Sequence, residues 1–126
     1  MSIILFLIIL LVLVMVHEFG HFIVAKLCKM RVDEFGVGFP PTIWKRKWRG
    51  TEYKINSLPL GGYVKIFGEN GSDEDEAAKL DPQSFGNRPW WQQILVLLAG
   101  VVMNWVLAFV IFLFLALFTV QIASVD

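Results

Sequence analysis

Residues 2–25 read SIILFLIILLVLVMVHEFGHFIVA, and their opening stretch, Ile3 to Val16, carries no polar side chain. About 20 consecutive apolar residues suffice for a helix to cross the hydrocarbon core of a bilayer, so this segment predicts a membrane span. A cleaved signal peptide is the other reading of an N-terminal apolar run. It fits poorly, because Met1-Ser2-Ile3 lacks a basic n-region and no small-x-small cleavage pattern follows. A second long apolar stretch runs from Ile94 to Val120, with Asn104 as its main polar interruption. The rest of the chain is organised around these two.

Composition agrees. The 126 residues are 56% hydrophobic, 14% aromatic and only 17% charged, and mean hydropathy is +0.63. A soluble domain this small needs a larger polar share to cover its surface. Eleven Lys and Arg balance eleven Asp and Glu, so the strongly basic footprint of a nucleic-acid binder is missing and no nucleic-acid partner is expected. A single cysteine, Cys28, excludes an intrachain disulfide framework. The apolar content excludes general disorder. The fold class expected is a membrane α-helical protein with a β-rich insert.

Charge placement predicts the orientation. All eleven basic residues lie between Lys26 and Arg88, in the connector between the spans. Basic flanks stay cytoplasmic, so the expectation is transmembrane helix 1 over residues 2–27 and a cytoplasmic connector over 28–91. Transmembrane helix 2 then covers 92–120, and 121–126 begins an extracytoplasmic segment, with both chain ends outside. Trp44, Trp48, Trp90 and Trp91 sit where amphipathic rings favour the membrane interface.

Within the connector, residues 32–67 are rich in Val, Ile, Trp, Tyr and Phe, broken by Gly and Pro. Trp44, Arg46 and Trp48 alternate with Lys45 and Lys47, and Tyr53-Lys54-Ile55 resumes the pattern. This predicts a membrane-associated β-hairpin with a four-residue turn, Arg49-Gly50-Thr51-Glu52. A further short strand is expected over Tyr63 to Phe67, after the Leu58-Pro59-Leu60-Gly61-Gly62 break. Residues 68–87 turn acidic and polar, and read as a solvated, mobile loop.

The only two histidines belong to His17-Glu18-Phe19-Gly20-His21. Spacing i, i+4 on a helix puts both imidazoles on one face, a turn apart, where they can clamp one metal ion. Zinc suits such a pair, and a zinc-bound water has its pKa lowered towards neutrality. Glu18, beside the first ligand, is placed to take that water's proton and return it to a leaving amine. An ionisable triad in an apolar span is costly and points to function. His17 lies nine residues before Lys26, about 13 Å along a helix, so the site sits inside the membrane near its cytoplasmic face. Asn104, eleven residues beyond Gln93, reaches a similar depth from the other span. Gly100, Asn104 and Ala108 share a face there, a stripe suited to close helix packing. Asn104 is read either as interhelical glue or as a group that binds substrate backbone or an oxyanion. Cys28, about 10 Å along the axis from His21, is too far to join the same metal.

Three stretches together, Val16-His-Glu-Phe-Gly-His21, Leu58-Pro-Leu-Gly-Gly-Tyr-Val-Lys65 and Ala99-Gly-Val-Val-Met-Asn104, resemble the site-2 protease family of intramembrane zinc metalloproteases. Within it, the chain is similar to the bacterial regulator-of-sigma-E protease type. The resemblance implies that His17 and His21 are zinc ligands, Glu18 the catalytic base and Asn104 a substrate-binding residue. It implies that the β-rich region, Gly38 and Phe39 included, presents substrate as an added strand. Pro40 stands where many relatives carry glycine after the Gly-Phe pair, and Val101 where proline is frequent. The family's third zinc ligand is an aspartate in a later span. Leu80-Asp81 is followed by Pro82 in a polar loop and Asp126 is the last residue, so neither matches. The expectation is therefore an N-terminal portion of a longer enzyme, inactive alone, whose remainder holds PDZ domains and further spans. The implied location is the bacterial inner membrane. The implied substrates are single-span membrane proteins such as anti-sigma factors or signal-peptide remnants.

Two other classes compete. Membrane di-iron oxygenases need many more histidines than two. A non-catalytic membrane metal-binding or transport protein would use His17, Glu18 and His21 as a transient ion site, and predicts more polar residues along both spans than Asn104 alone.

Overall fold

The computed structural model describes residues 1–69 and 80–125. Two long helices, α1 (Ser2–Leu27) and α2 (Trp90–Val125), flank an antiparallel hairpin of β1 (Val32–Trp48) and β2 (Thr51–Ile66). A short 3-10 turn, Phe85–Asn87, precedes α2. Both helices are long and apolar enough to cross a membrane. Helix α2 is continuous through residues 121–125, so the stretch expected to begin an external segment is helical.

Helix α1 ends in a Schellman motif. Lys29 N–H donates to the Lys26 carbonyl at 3.0 Å and Met30 N–H to the Ala25 carbonyl at 2.9 Å. Lys29 adopts φ 61°, the left-handed conformation this motif requires, at a position glycine usually fills. Ala25 and Met30, the apolar pair that accompanies the motif, are both buried. The chain is thereby turned sharply off the helix axis and into β1.

The hairpin differs from the expectation in its turn. Trp48 pairs with Thr51 and Lys47 with Glu52, so Thr51 and Glu52 already belong to β2 and the turn is Arg49-Gly50 alone. Both turn residues have positive φ, 51° and 79°, the two-residue geometry whose twist matches that of paired strands. The expected separate strand at Tyr63 to Phe67 is instead the end of β2, which runs unbroken to Ile66. Both strands bend, β1 around Phe39-Pro40-Pro41 and β2 around Leu58 to Gly61, and the bends generate a compact sheet from only two strands. Past its bend, β2 returns beside the start of β1, from Val32↔Ile66 to Val37↔Gly62. On its other side the same part of β1 lies along the start of β2, advancing in step from Glu34↔Glu52 to Val37↔Ile55. Alternation in the outer arm does not bury one face: every residue from Phe39 to Gly50 is exposed, Trp44 and Trp48 included.

The core sits where all elements meet. Ala25, Met30, Val32, Ile66, Phe85 and Val96 form one buried cluster. Backbone hydrogen bonds clip the three connector segments together: Arg31 N–H to the Gln83 carbonyl, Phe67 N–H to Arg31, and Phe85 N–H to Phe67. The expected polar loop at 68–87 is thus corrected at its far end, where Ser84 and Phe85 are buried; residues 70–79 of it lie outside the described residues. A single phenylalanine in a polar run has no period to betray it, but Val32 and Val96 offer it apolar cover. A second aromatic group, with Phe22–Phe35 centroids 5.2 Å apart and Phe22–Tyr53 6.0 Å, fastens the sheet to α1.

Two polar contacts hold the strands and carry predictions. Thr51 is fully buried, and its hydroxyl donates to the Val32 carbonyl at 2.8 Å. Thr51→Val keeps the shape and strand preference but deletes this donor, and is expected to cost about 1–2 kcal/mol. Denaturant unfolding in detergent checks it. Lys54 Nζ donates to Glu34 Oε1 at 2.9 Å. This bond holds the Glu34 carboxyl below the usual carboxylate range and, from the other side, holds the Lys54 ammonium above its ordinary value. The Glu34 contribution to stability is present above the ordinary glutamate pKa of about 4.3 and is lost as pH falls through the lowered value. The Lys54 contribution is present below about 10.4 and is lost as pH rises through the raised value. Melting temperature against pH should therefore fall at both ends, and Glu34→Gln should flatten both arms.

Candidate metal centre and active site

His17, Glu18 and His21 lie in the second half of α1, which is helical from Ser2 onward because nothing in its first turns breaks the apolar run. One helical turn brings the two imidazoles together edge to face, with centroids 4.6 Å apart and planes at 81°. Their Nε2 atoms are 3.0 Å apart. The bite between two nitrogen ligands of one tetrahedral zinc is about 3.3 Å, so the pair fits two corners of such a site. His21 Nδ1 lies 2.6 Å from the Val96 carbonyl oxygen. Donating there, it fixes the ring's tautomer and turns Nε2 towards His17, the outer contact that metal-bound histidines characteristically make. All three side chains are partly buried. The N–H of Val64 faces the Glu18 carboxylate, so β2 reaches the site from the sheet side.

Helix α2 closes the other side through small residues. A Cβ on Gly100 would lie 2.6 Å from His17 Nε2 and 2.7 Å from His21 Nε2. A Cβ on Gly20 would strike the Ala99 carbonyl and Met103. Both glycines are buried. From Val96 onward, the buried and half-buried residues of α2 are Val96, Ala99, Gly100, Met103, Asn104 and Leu107; Ala108, the last member of the expected small-residue stripe, is exposed. Asn104 is one turn beyond Gly100, and its Oδ1 is buried with no hydrogen-bond partner among the described residues.

Gly38 and Phe39 stand at the bend of β1. Gly38 is buried with φ 78°, its carbonyl accepts from Asn56 Nδ2 at 3.1 Å, and a Cβ there would strike the Leu58 carbonyl. Phe39 is exposed, with its ring over Gly61. Gly61 and Gly62 in turn lean on Val14 and Met15 of α1, within a turn of His17. Cys28 caps α1 as a free thiol packed on the core. Among the described residues, no group of three His, Cys, Asp or Glu side chains comes together in a metal-binding arrangement. Sequence reading missed the Val96 carbonyl and the Val64 amide, since a backbone group leaves no mark in a sequence.

Residues 5–124 match peptidase family M50. The chain belongs to that family. It is 42% identical over 115 residues to the Regulator of sigma-E protease RseP of Salmonella typhimurium, covering 90% of this chain and 25% of that one. It is 45% identical over 100 residues to the Protease RseP of Yersinia pestis, covering 79% and 22%. A Thermotoga maritima protein named as a zinc metalloprotease is 41% identical over 116 residues, covering 90% and 22%. The chain thus spans about a quarter of the length of these relatives. The family match runs through the whole helix–sheet–helix unit, from the apolar start of α1 to the last turn of α2.

Proposed function

We propose that this chain forms the histidine-bearing half of an intramembrane zinc metalloprotease, with α1 and α2 spanning the bacterial inner membrane and the sheet on the cytoplasmic side. The observation that carries it is the His17–His21 pair, pointed inward by the Val96 carbonyl and sealed by Gly100 in an otherwise apolar helix pair. His17 and His21 hold the metal. Zinc bound there supplies Lewis-acid polarisation and a water of lowered pKa. Glu18 takes a proton from the attacking water and delivers it to the leaving amine nitrogen. Asn104 offers its buried amide to the substrate backbone, and the bend at Gly38-Phe39 helps seat the substrate as an extended strand. The third protein ligand lies outside this stretch of sequence. Substrates are single-span membrane proteins of the anti-sigma-factor or signal-peptide-remnant class.

A transport reading predicts metal binding without cleavage, so a cleavage assay separates the two. Treating the full-length enzyme in detergent with a zinc chelator should abolish cleavage of a transmembrane reporter, and about one equivalent of zinc should restore it. Cleavage that persists without metal would refute the proposal.

A further inference from the structure

A cavity of about 430 Å³ opens at the C-terminal end of α1, away from the histidines. Four cationic residues, Lys26, Lys29, Arg31 and Arg49, line it together with Gln83 and the buried Met30. No carboxylate lines it among the described residues. Asp33 engages Arg31 only through Nε, at 2.9 Å, and Phe67 stacks under the guanidinium at 3.4 Å, so the terminal nitrogens have no partner among the described residues. Lys26 Nζ spends one donor on the Arg49 carbonyl, at 3.2 Å, which ties the hairpin turn to the helix end and forms one wall. The only two described non-glycine residues with positive φ, Lys29 and Arg49, both stand on this cavity. Such conformations persist where the surrounding structure demands them. Here they bring cations from three corners of the chain, the helix cap, the start of β1 and the hairpin turn, around one volume.

Four cationic residues gathered around one cavity, with a single carboxylate, Asp33, paired to one of them, make a setting in which an anion is favoured. The volume falls within the range of small-ligand sites, about 300–1,000 Å³. Its position narrows the ligand. It lies where apolar α1 gives way to the polar connector, beside the exposed Trp48, whose ring carries the Arg49 guanidinium at 4.5 Å. Resting on the proposed membrane-spanning reading, that level is the headgroup layer. We infer that the cavity binds the phosphate of an anionic phospholipid headgroup. Basic pockets at the ends of spans recognise such headgroups, with arginine and lysine supplying charge-assisted hydrogen bonds to phosphate oxygens. The site fastens the sheet to the membrane surface at a point separate from the metal centre.

The test reconstitutes the full-length protein, wild type and Lys29→Gln/Arg49→Gln, into nanodiscs of phosphatidylcholine alone or mixed with phosphatidylglycerol. Bound lipid is then read by native mass spectrometry after detergent extraction. Wild type should retain phosphatidylglycerol over phosphatidylcholine, and the double variant should retain about tenfold less. Lys29→Arg/Arg49→Lys, which keeps both charges, should retain most of it and shows that loss in the first variant is not misfolding. Equal retention of the two lipids by wild type, or equal retention of phosphatidylglycerol by wild type and the charge-deleted variant, overturns the inference. Displacement of the lipid by millimolar inorganic phosphate assigns the cavity to a soluble phosphate and overturns the lipid assignment. Failure of wild type to insert into either nanodisc overturns the spanning reading, and this inference with it. Insertion without lipid preference removes this inference alone.

Discussion

Glu18→Gln in the full-length enzyme is expected to leave zinc in place and to lower kcat by about 10²–10⁴-fold, the range of a positioned general base. The reasoning starts from the helix. Glu18 neighbours His17 in sequence, but it is not part of the imidazole pair, whose Nε2 atoms face each other and whose outer anchor is the Val96 carbonyl. Glutamine has the same shape, so the imidazole pair is not disturbed. What disappears is the capacity to take a proton. Zinc content measured by elemental analysis should match wild type while cleavage of a transmembrane reporter falls. Cleavage at the wild-type rate would remove Glu18 from the base role, and loss of zinc would make it structural.

Gly100→Ala is expected to lower zinc affinity by at least about tenfold, the scale at which contacts around a metal's ligands act. The added Cβ would lie 2.6 Å from both Cε1 and Nε2 of His17 and 2.7 Å from His21 Nε2. Real Cβ atoms do not approach that closely, so either the imidazoles swing away or α2 retreats and carries the Val96 carbonyl from His21. Both routes spoil the bite of the pair. Cobalt substitution reads this directly through the visible d–d bands, and zinc competition gives the affinity. Val101→Ala, on the exposed neighbouring position, should change neither. Wild-type zinc affinity in Gly100→Ala would show that the two helices do not meet the metal site as closely as the structure places them.

Much of this site was legible because its chemistry is local. His17, Glu18 and His21 fall within five consecutive residues, and one helical turn suffices to bring the two imidazoles together. Gly100 and Asn104 could be placed on one face of α2 by the same periodicity. The sheet was harder. Aromatic and β-branched residues announced strands, but the register depends on the turn, and Arg49-Gly50 closes it with two residues because an arginine accepts a left-handed φ there. Nothing local says that β2 must bend at Leu58 to Gly61 and come back along the start of β1. Phe85 was lost in a polar run for the same reason: its partners, Ala25, Ile66 and Val96, are each distant in the chain.

The amino-acid sequence by itself determined two apolar helices, a β-rich insert between them and a pair of histidines one turn apart in the first helix. These follow from hydropathy and helical spacing, which act over a few residues. Only the tertiary structure decided what surrounds the pair. The carbonyl that aims His21, the amide that meets Glu18, the glycine that admits α2 and the four cations around one cavity come from separate segments. Their meeting is a property of packing, in which backbone groups and missing side chains count as much as the residues a sequence displays.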